Sequence, residues 1–263
     1  MSYTVFHRER SSGGAPRSFI DAVVPMGSAP KGVVVVLHSP ASPFDAFTGV
    51  RIGGTAGTFD NTGWDSASFN VPAVAGGEGL NSKVFAYFGA GIPTGDQPIH
   101  YDKATQNNGV SAQIFVFDGS ESDIAAVQFF SGVPSAAHYS FTATGTTPGR
   151  DVLAAVTIDT ASAVADSGTT VLLSVAAVSV AAGTVLKRTA AATSTTLGAT
   201  NAGSTAWRAV VFEVLNAGDT TPPTLSGASA TGGVLSATGS VTSNEAGTLW
   251  HKMDGNATAT DPG

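Results

Sequence analysis

The sequence predicts an all-β protein built on an antiparallel β-sandwich of the jelly-roll kind, and three observations carry this prediction. Short runs rich in β-branched and aromatic residues recur about every ten residues along the chain. Turn-forming residues separate them, since the 263 residues include 32 glycines and 13 prolines. Several runs alternate with a period of two, which is the pattern of a strand with two different faces.

Three runs show how this pattern predicts strands. In SAQIFVFD (111–118) and AWRAVVFEVL (206–215), the even-numbered residues face one way and the odd-numbered residues the other. The run KGVVVVLH (31–38) has consecutive valines instead of an alternation. Unbroken apolar runs are typical of strands covered on both faces. We therefore predict that 31–38 is a central strand buried on both sides.

Helical patterns are weak throughout the chain. Residues 120–130 (SESDIAAVQFF) and 161–166 (ASAVAD) each predict at most a turn or two of helix, the first with a Ser or Asp cap. A doubly wound α/β fold needs more crossover helices than this. The Ser/Thr/Gly/Ala-rich stretch 189–206 reads as a long loop or hairpin tip.

A domain boundary is predicted at NAGDTTPPTL (216–225), where Asn, Gly, Asp and two prolines form a semi-rigid linker. We expect an arm over 1–18, a sandwich domain over 19–215, a linker over 216–224 and a partial Ig-like β module over 225–263. The last segment holds three candidate strands, whereas an Ig domain needs about seven strands and about 100 residues. Its apolar face therefore needs completion by another subunit or by further residues.

Composition disfavours several classes of function. The net charge is −7 and only 12% of residues are charged, so the chain lacks the basic stripe of a nucleic-acid binder. The absence of cysteine excludes disulfides and thiolate chemistry, and it suits assembly in a reducing cytosol. The longest apolar run, 171–186, is too short and too interrupted to predict a membrane anchor. No cofactor is predicted.

The basic residues of the predicted arm are Arg8, Arg10 and Arg17, which stand beside serines and glycines. We expect them to contact an acidic partner surface, with a solvated arm as the simpler interpretation. Catalytic motifs are weak by comparison. His38 ends an apolar run as in some α/β hydrolases, but no G-x-S-x-G pentapeptide accompanies it. The five histidines show no metal-binding spacing.

Two kinds of ligand site remain as candidates. Trp64 with Asp65, and Trp250 near the C-terminus, have the residue types that stack on sugar rings and bind their hydroxyls. Each tryptophan could instead fold back over the core. The loop DGSESD offers Asp118, Glu121 and Asp123 as oxygen ligands for Ca²⁺. A capped polar turn explains the same three residues.

Several segments together resemble a known class of proteins. They are KGVVVVLHSP, the turn-rich VRIGGTAGTFDNTG, KVFAYFGAGIP, VSAQIFVFD, and a closing strand with its linker, AWRAVVFEVLNAGDTTPPTLSG. In their texture and order they resemble accessory structural proteins of tailed bacteriophages and of phage-derived particles such as gene transfer agents. The tail ATGSVTSNEAGTLW resembles the opening of the Ig-like modules of such proteins. The resemblance transfers no functional residue.

This resemblance implies a non-enzymatic virion protein, either a head decoration, spike or fibre or a tail-associated protein. It would dock on capsid, portal or tail components, oligomerise with its own copies, and help to contact the host surface, including host polysaccharide. Neither nucleic acid nor membrane is an expected partner. The alternatives are a stand-alone carbohydrate-binding module or lectin, and a polysaccharide hydrolase on a β scaffold.

Overall fold

The structure, a computed structural model, confirms the all-β prediction. It describes residues 2–10, 17–39, 47–53, 59–60, 65–71, 80–103, 109–132, 138–158, 163–177, 182–201, 207–216, 225–232 and 237–243, which contain nineteen strands and no helix. By its internal contacts the chain divides into two units, Met1–Ala217 and Gly218–Gly263. Each unit is described by itself below.

The first half of unit 1 is a sandwich of two antiparallel sheets. Inner sheet 1 has the order β1-β9-β3-β7-β6, and outer sheet 1 has the order β2-β8-β4-β5. The chain passes back and forth between the sheets, and its first strand pairs with its last, which is jelly-roll connectivity. The strands are β1 Tyr3–Arg10, β2 Arg17–Pro25, β3 Gly32–Ser39, β4 Phe47–Ile52, β5 Phe59–Asp60, β6 Asp65–Val71, β7 Leu80–Phe88, β8 Asp96–Lys103 and β9 Val110–Phe117.

The second half of unit 1 repeats this connectivity. Inner sheet 2 has the order β10-β17-β12-β15-β14, and outer sheet 2 has the order β11-β16-β13. Here β10 takes the place of β1, β17 that of β9, and β12 that of β3. The strands are β10 Glu121–Gly132, β11 His138–Thr144, β12 Asp151–Ile158, β13 Ala163–Ala165, β14 Thr170–Val175, β15 Ala182–Thr189, β16 Ser194–Asn201 and β17 Trp207–Asn216. Where the sequence predicts one sandwich over 19–215, the structure therefore has two jelly rolls in tandem.

The two jelly rolls pack through their inner sheets, which gives unit 1 four layers and three apolar cores. Val33 and Val35 of β3 belong to the core between outer sheet 1 and inner sheet 1. Val34 and Val36 belong to the central core between the two inner sheets. A third core lies between inner sheet 2 and outer sheet 2. The prediction that the valine run is buried on both faces is confirmed, and each such valine contributes about 1.5–3 kcal/mol by its burial.

The arm predicted over 1–18 is wrong where the structure describes it. Tyr3–Arg10 pairs residue for residue with Val110–Phe117, so it is an edge strand of inner sheet 1. Val5 packs against the central core and Phe6 against the first core, which gives the strand two apolar faces. Arg17 begins β2. The segment HRER (7–10) is charged, but it continues the strand that begins with the apolar residues. In the sheet the backbone groups of this strand find hydrogen-bond partners.

The two short helices and the long loop predicted from the sequence are also wrong. Residues 121–132 form β10, 163–165 form β13, and the stretch predicted as a loop contains β16. The helical appearance of 120–130 has a structural cause. The pairing of β10 with β17 shifts register between Ala125 and Gln128, so a β-bulge breaks the period of two.

Unit 2 contains one described hairpin, formed by β18 Leu225–Gly232 and β19 Ala237–Ser243. The third strand predicted in this segment, GTLWHKM, falls beyond the described residues. An isolated two-stranded hairpin is marginally stable in water. No helix within the described parts of the chain is long and apolar enough to cross a membrane.

Candidate functional site: a polar layer between the inner sheets

Polar side chains form one row across inner sheet 1 at an end of the central core. Glu9 of β1 pairs with Ser111 of β9, Ser111 pairs with His38 of β3, and His38 pairs with Ser82 of β7. Directly paired residues of neighbouring strands point to the same face of a sheet. On β3 that face is the one carrying Val34 and Val36, so the row points at inner sheet 2.

Inner sheet 2 presents a matching row. Arg208 of β17 pairs with Thr157 of β12, and Thr157 pairs with Gly183 of β15. The two rows meet across the interface. A Cβ added at Gly183 would collide with His7 Nδ1, so the histidine ring of β1 occupies the space left by the missing side chain. Gln113 Nε2 of β9 donates to the carbonyl oxygen of Val156 at 3.3 Å. We call this set of residues the polar layer.

Two histidines hold the polar layer on the side of inner sheet 1. His38 Nδ1 and Ser82 Oγ share a hydrogen bond of 2.7 Å. His7 Nε2 lies 3.1 Å from Glu9 Oε1, and both side chains are almost fully buried. Within the described part of the chain, Ser111 Oγ and Thr157 Oγ1 are buried without a hydrogen-bond partner. The hydrogen-bonding groups of the layer are therefore only partly satisfied, and each buried group without a partner costs free energy.

The electrostatics of the polar layer disfavour charge on His38. The pKa of His38 is lowered from 6.5 to about 3, mainly by burial and in addition by the positive charge of Arg208 and by the neighbouring His7. The backbone of Ala155 and the side chain of Gln113 act in the opposite direction but do not compensate for the loss of water. His38 is thus neutral near pH 7, when the inner sheets are in contact.

A second polar cluster lies at the other end of the central core, where the two jelly rolls are connected. Lys187 Nζ is 2.6 Å from Asp151 Oδ2, and Thr189 Oγ1 donates to Asp151 Oδ1. Lys187 also lies over the ring of Tyr3 on inner sheet 1. Burial, followed by the negative charges of Asp151 and Glu121, raises the pKa of the Tyr3 hydroxyl. This cluster links the inner sheets beside the connection.

The connection itself is short and anchored. Only residues 118–120 separate β9 from β10. The amide of Ser2 donates to Glu121 Oε1 at 2.7 Å, and the amide of Asp118 donates to the carbonyl of Ser2 at 3.1 Å. The start of β1 thereby ties down the start of β10.

The calcium ligands predicted from the sequence are Asp118, Glu121 and Asp123, and the structure does not gather them into one site. Glu121 is buried and binds the amide of Ser2, while Asp118 is exposed. Asp123 Oδ1 accepts from the amide of Ile124. Among the described residues there is no group of three or more His, Cys, Asp or Glu side chains able to hold a metal ion. The alternative of a capped polar turn describes only Asp118, which lies between β9 and β10, because Glu121 and Asp123 belong to β10.

The remaining predicted site residues are spread over unit 1 or fall outside the described residues. Arg8 of β1 donates through Nη1 to the carbonyl of His7 and through Nη2 to that of Val23. Arg10 ends β1 and Arg17 begins β2. Of the sugar-stacking candidates, Asp65 begins β6, whereas Trp64 and Trp250 lie outside the described residues.

Within the polar layer, the sequence brings His38 to attention as a possible hydrolase residue, and His7 only as one of five histidines without metal-binding spacing. Ser82, the partner of His38, was missed, as were Gln113, Thr157 and Arg208. The signal was present, because Gln113 and Arg208 are polar residues at inward positions of apolar strands. His38 is 2% exposed and Ser82 4%, so this pair does not meet a substrate while the inner sheets are packed together.

Comparison with protein-family models, with curated proteins and with solved structures finds no match to this chain.

Proposed function

We propose that this protein is a non-enzymatic structural component of a virion, as a head decoration, spike or fibre or as a tail-associated protein, which helps the particle to contact its host. The observation that supports the proposal best is the construction of unit 1. Two jelly rolls share an interface in which β3, β9 and β12 are buried along their whole length. Such a block is rigid, since close-packed interiors resist deformation.

The surface of the block suits contact and docking. Strand β11 alternates strictly between exposed and buried residues. The exposed residues of β11 and β16 are mostly serines and threonines, beside His138, and Thr142 Oγ1 and Thr196 Oγ1 are 2.8 Å apart. The resemblance in sequence texture to phage accessory proteins points in the same direction. Unit 2, with its single described hairpin, would pair with neighbouring copies.

Electron microscopy of intact particles tests this proposal. Particles purified from cells that make the protein are compared with particles from cells in which its gene is deleted. We expect additional density the size of two stacked jelly rolls on the head or tail, which disappears with the deletion. A protein recovered only free in the lysate, and never with the particles, would contradict the proposal.

A carbohydrate-binding module is the second candidate, and the hydroxyl-rich face of outer sheet 2 is the observation that favours it. On this hypothesis, replacing Thr142 and Thr196 with alanine weakens binding on a glycan array, as does Trp64→Ala for the sugar site predicted from the sequence. Thr170→Ala, an exposed threonine of β14 in inner sheet 2, is the matched control. An unchanged glycan profile in every variant would exclude sugar binding both at outer sheet 2 and at the site predicted around Trp64. The buried Ser82–His38 pair lends no support to the hydrolase alternative.

A further inference from the structure

The central core has two unlike ends. The covalent connection, residues 118–120, lies at one end together with the Lys187–Asp151 ion pair. The polar layer lies at the other end, around Ser111. Ser111 and Phe117 are six positions apart on β9, which corresponds to about 20 Å along an extended strand. Aromatic contacts such as Phe115 against Phe212, with ring centroids 5.2 Å apart, fill the space between the two ends.

Because the connection lies at the far end, the end containing the polar layer can open while the jelly rolls stay joined. Parting the inner sheets there breaks no strand pairing, since all ladder hydrogen bonds run within sheets. Opening this end would expose the buried polar groups of Ser111, Thr157 and His38 to water. The polar end therefore has less to lose on opening than the apolar middle.

We propose that the polar layer is a proton-sensitive clasp, which holds the two jelly rolls together while His38 is neutral and opens that end of the interface when His38 binds a proton. The charged and titratable groups facing His38 are His7 and Glu9 of β1 and Arg208 of β17. Ser82, Gln113 and Thr157 face it as neutral groups. A proton on His38 adds positive charge beside Arg208 and His7, both of which disfavour that charge. Glu9, the carboxylate among these groups, lies 3.1 Å from His7.

The direction of the pH dependence follows from linkage. In the closed form the pKa of His38 is about 3, whereas a histidine in water has a value of 6.5. Between these two values the open form binds a proton that the closed form excludes. Lowering the pH therefore favours the open form, by about tenfold for each pH unit below about 6. The inference does not depend on the proposed role in a virion.

A single introduced cysteine reports the opening, because the chain has none of its own. Ser111→Cys places a thiol in the polar layer. Ala112→Cys is the matched control, since it is the next residue of the same strand and faces outer sheet 1. Labelling of each full-length variant is followed with a pyridyl disulfide reagent, which reacts with thiols in mild acid. We expect labelling at 111 to accelerate about tenfold per pH unit between about pH 6 and 4, while the cysteine at 112 stays protected.

His38→Gln provides the second arm of the experiment, because it removes the titrating group. In the Ser111→Cys background it should abolish the pH slope of labelling. In the chain without substitutions, the NMR resonances of the His38 ring should shift over the same pH range, because the ring takes up a proton there. Labelling of both cysteines together would indicate global acid unfolding and overturn the proposal. So would protection of both cysteines throughout, or an unchanged pH slope in a folded His38→Gln variant.

Discussion

At the scale of single residues, the alternation of side chains along a strand decides which core each side chain packs into. On β9, Ile114 faces outer sheet 1 while Phe115 faces the other jelly roll. The sequence predicts this division of β9 correctly, and it does so for β17 as well. The sequence pattern does not predict which residues pack against each face. Phe115 packs edge to face on Phe212, a residue of the other jelly roll almost a hundred positions away.

Phe115→Ala should lower the free energy of unfolding by about 3–5 kcal/mol, because a large ring leaves a cavity in the central core. Urea denaturation monitored by tryptophan fluorescence measures this. Leu172→Ala is the control, since Leu172 is among the exposed large hydrophobics, and it should change stability by less than about 0.5 kcal/mol. A double-mutant cycle with Phe212→Ala should give a coupling of about 0.5–1.5 kcal/mol. Additive effects would show that the rings do not support each other.

At the scale of elements, β10 shows how an edge strand of this protein is protected. It has one neighbour, β17, and its pairing is interrupted by the bulge near Ala126. Gln128 fixes the bulged segment by accepting from the amide of Thr144 at 3.1 Å and donating to its carbonyl at 2.6 Å. A bulge of this kind twists the edge and hinders pairing with another chain.

Ala126 has a φ of +50°, in the left-handed region that costs a residue with a Cβ about 1–2 kcal/mol. Ala126→Gly should therefore stabilise the protein, by about 0.5–1 kcal/mol after the entropy cost of glycine is subtracted. Ala125→Gly, at the preceding residue without positive φ, should destabilise it by a similar amount. Thermal unfolding of the two variants measures these two changes in stability, which should have opposite signs. A loss of stability in both would mean that the backbone at 126 is not strained.

At the scale of the whole molecule, the two jelly rolls of unit 1 supply the three apolar cores described above. The two jelly rolls share the central core, so neither inner sheet would have both faces covered without the other. Unit 1 therefore contains both of the jelly rolls that are needed to bury β3, β9 and β12 along their whole length. Cooperative unfolding of unit 1 as a whole is the expected consequence.

A chain ending at Ala217 should fold and unfold like the full chain, with a midpoint of thermal unfolding changed by less than about 2 °C. A change of 1 kcal/mol in a protein of this size shifts the midpoint by about 2–4 °C. The matched control ends at residue 206. It lacks β17, which lies between β10 and β12 in inner sheet 2, and should fail to fold. A large loss of stability in the chain ending at Ala217 would show that unit 2 supports unit 1.

The sequence by itself determined the all-β class, the faces of β9 and β17, and the double-sided burial of the valine run, because these depend on the local order of apolar and polar residues. It misjudged β1 as an arm and β10 and β13 as helical turns. The period of two is hidden in β1 by the charged residues 7–10 and in β10 by the bulge. In β13 the strand is too short to show it.

Only the tertiary structure decided that there are two jelly rolls, since equal connectivity does not require equal sequence. It also decided that His38 meets Ser82, His7 and Arg208. These residues come from four strands of both jelly rolls, and their meeting depends on register and on face-to-face packing of the inner sheets. The spacing of residues along a chain carries no record of either.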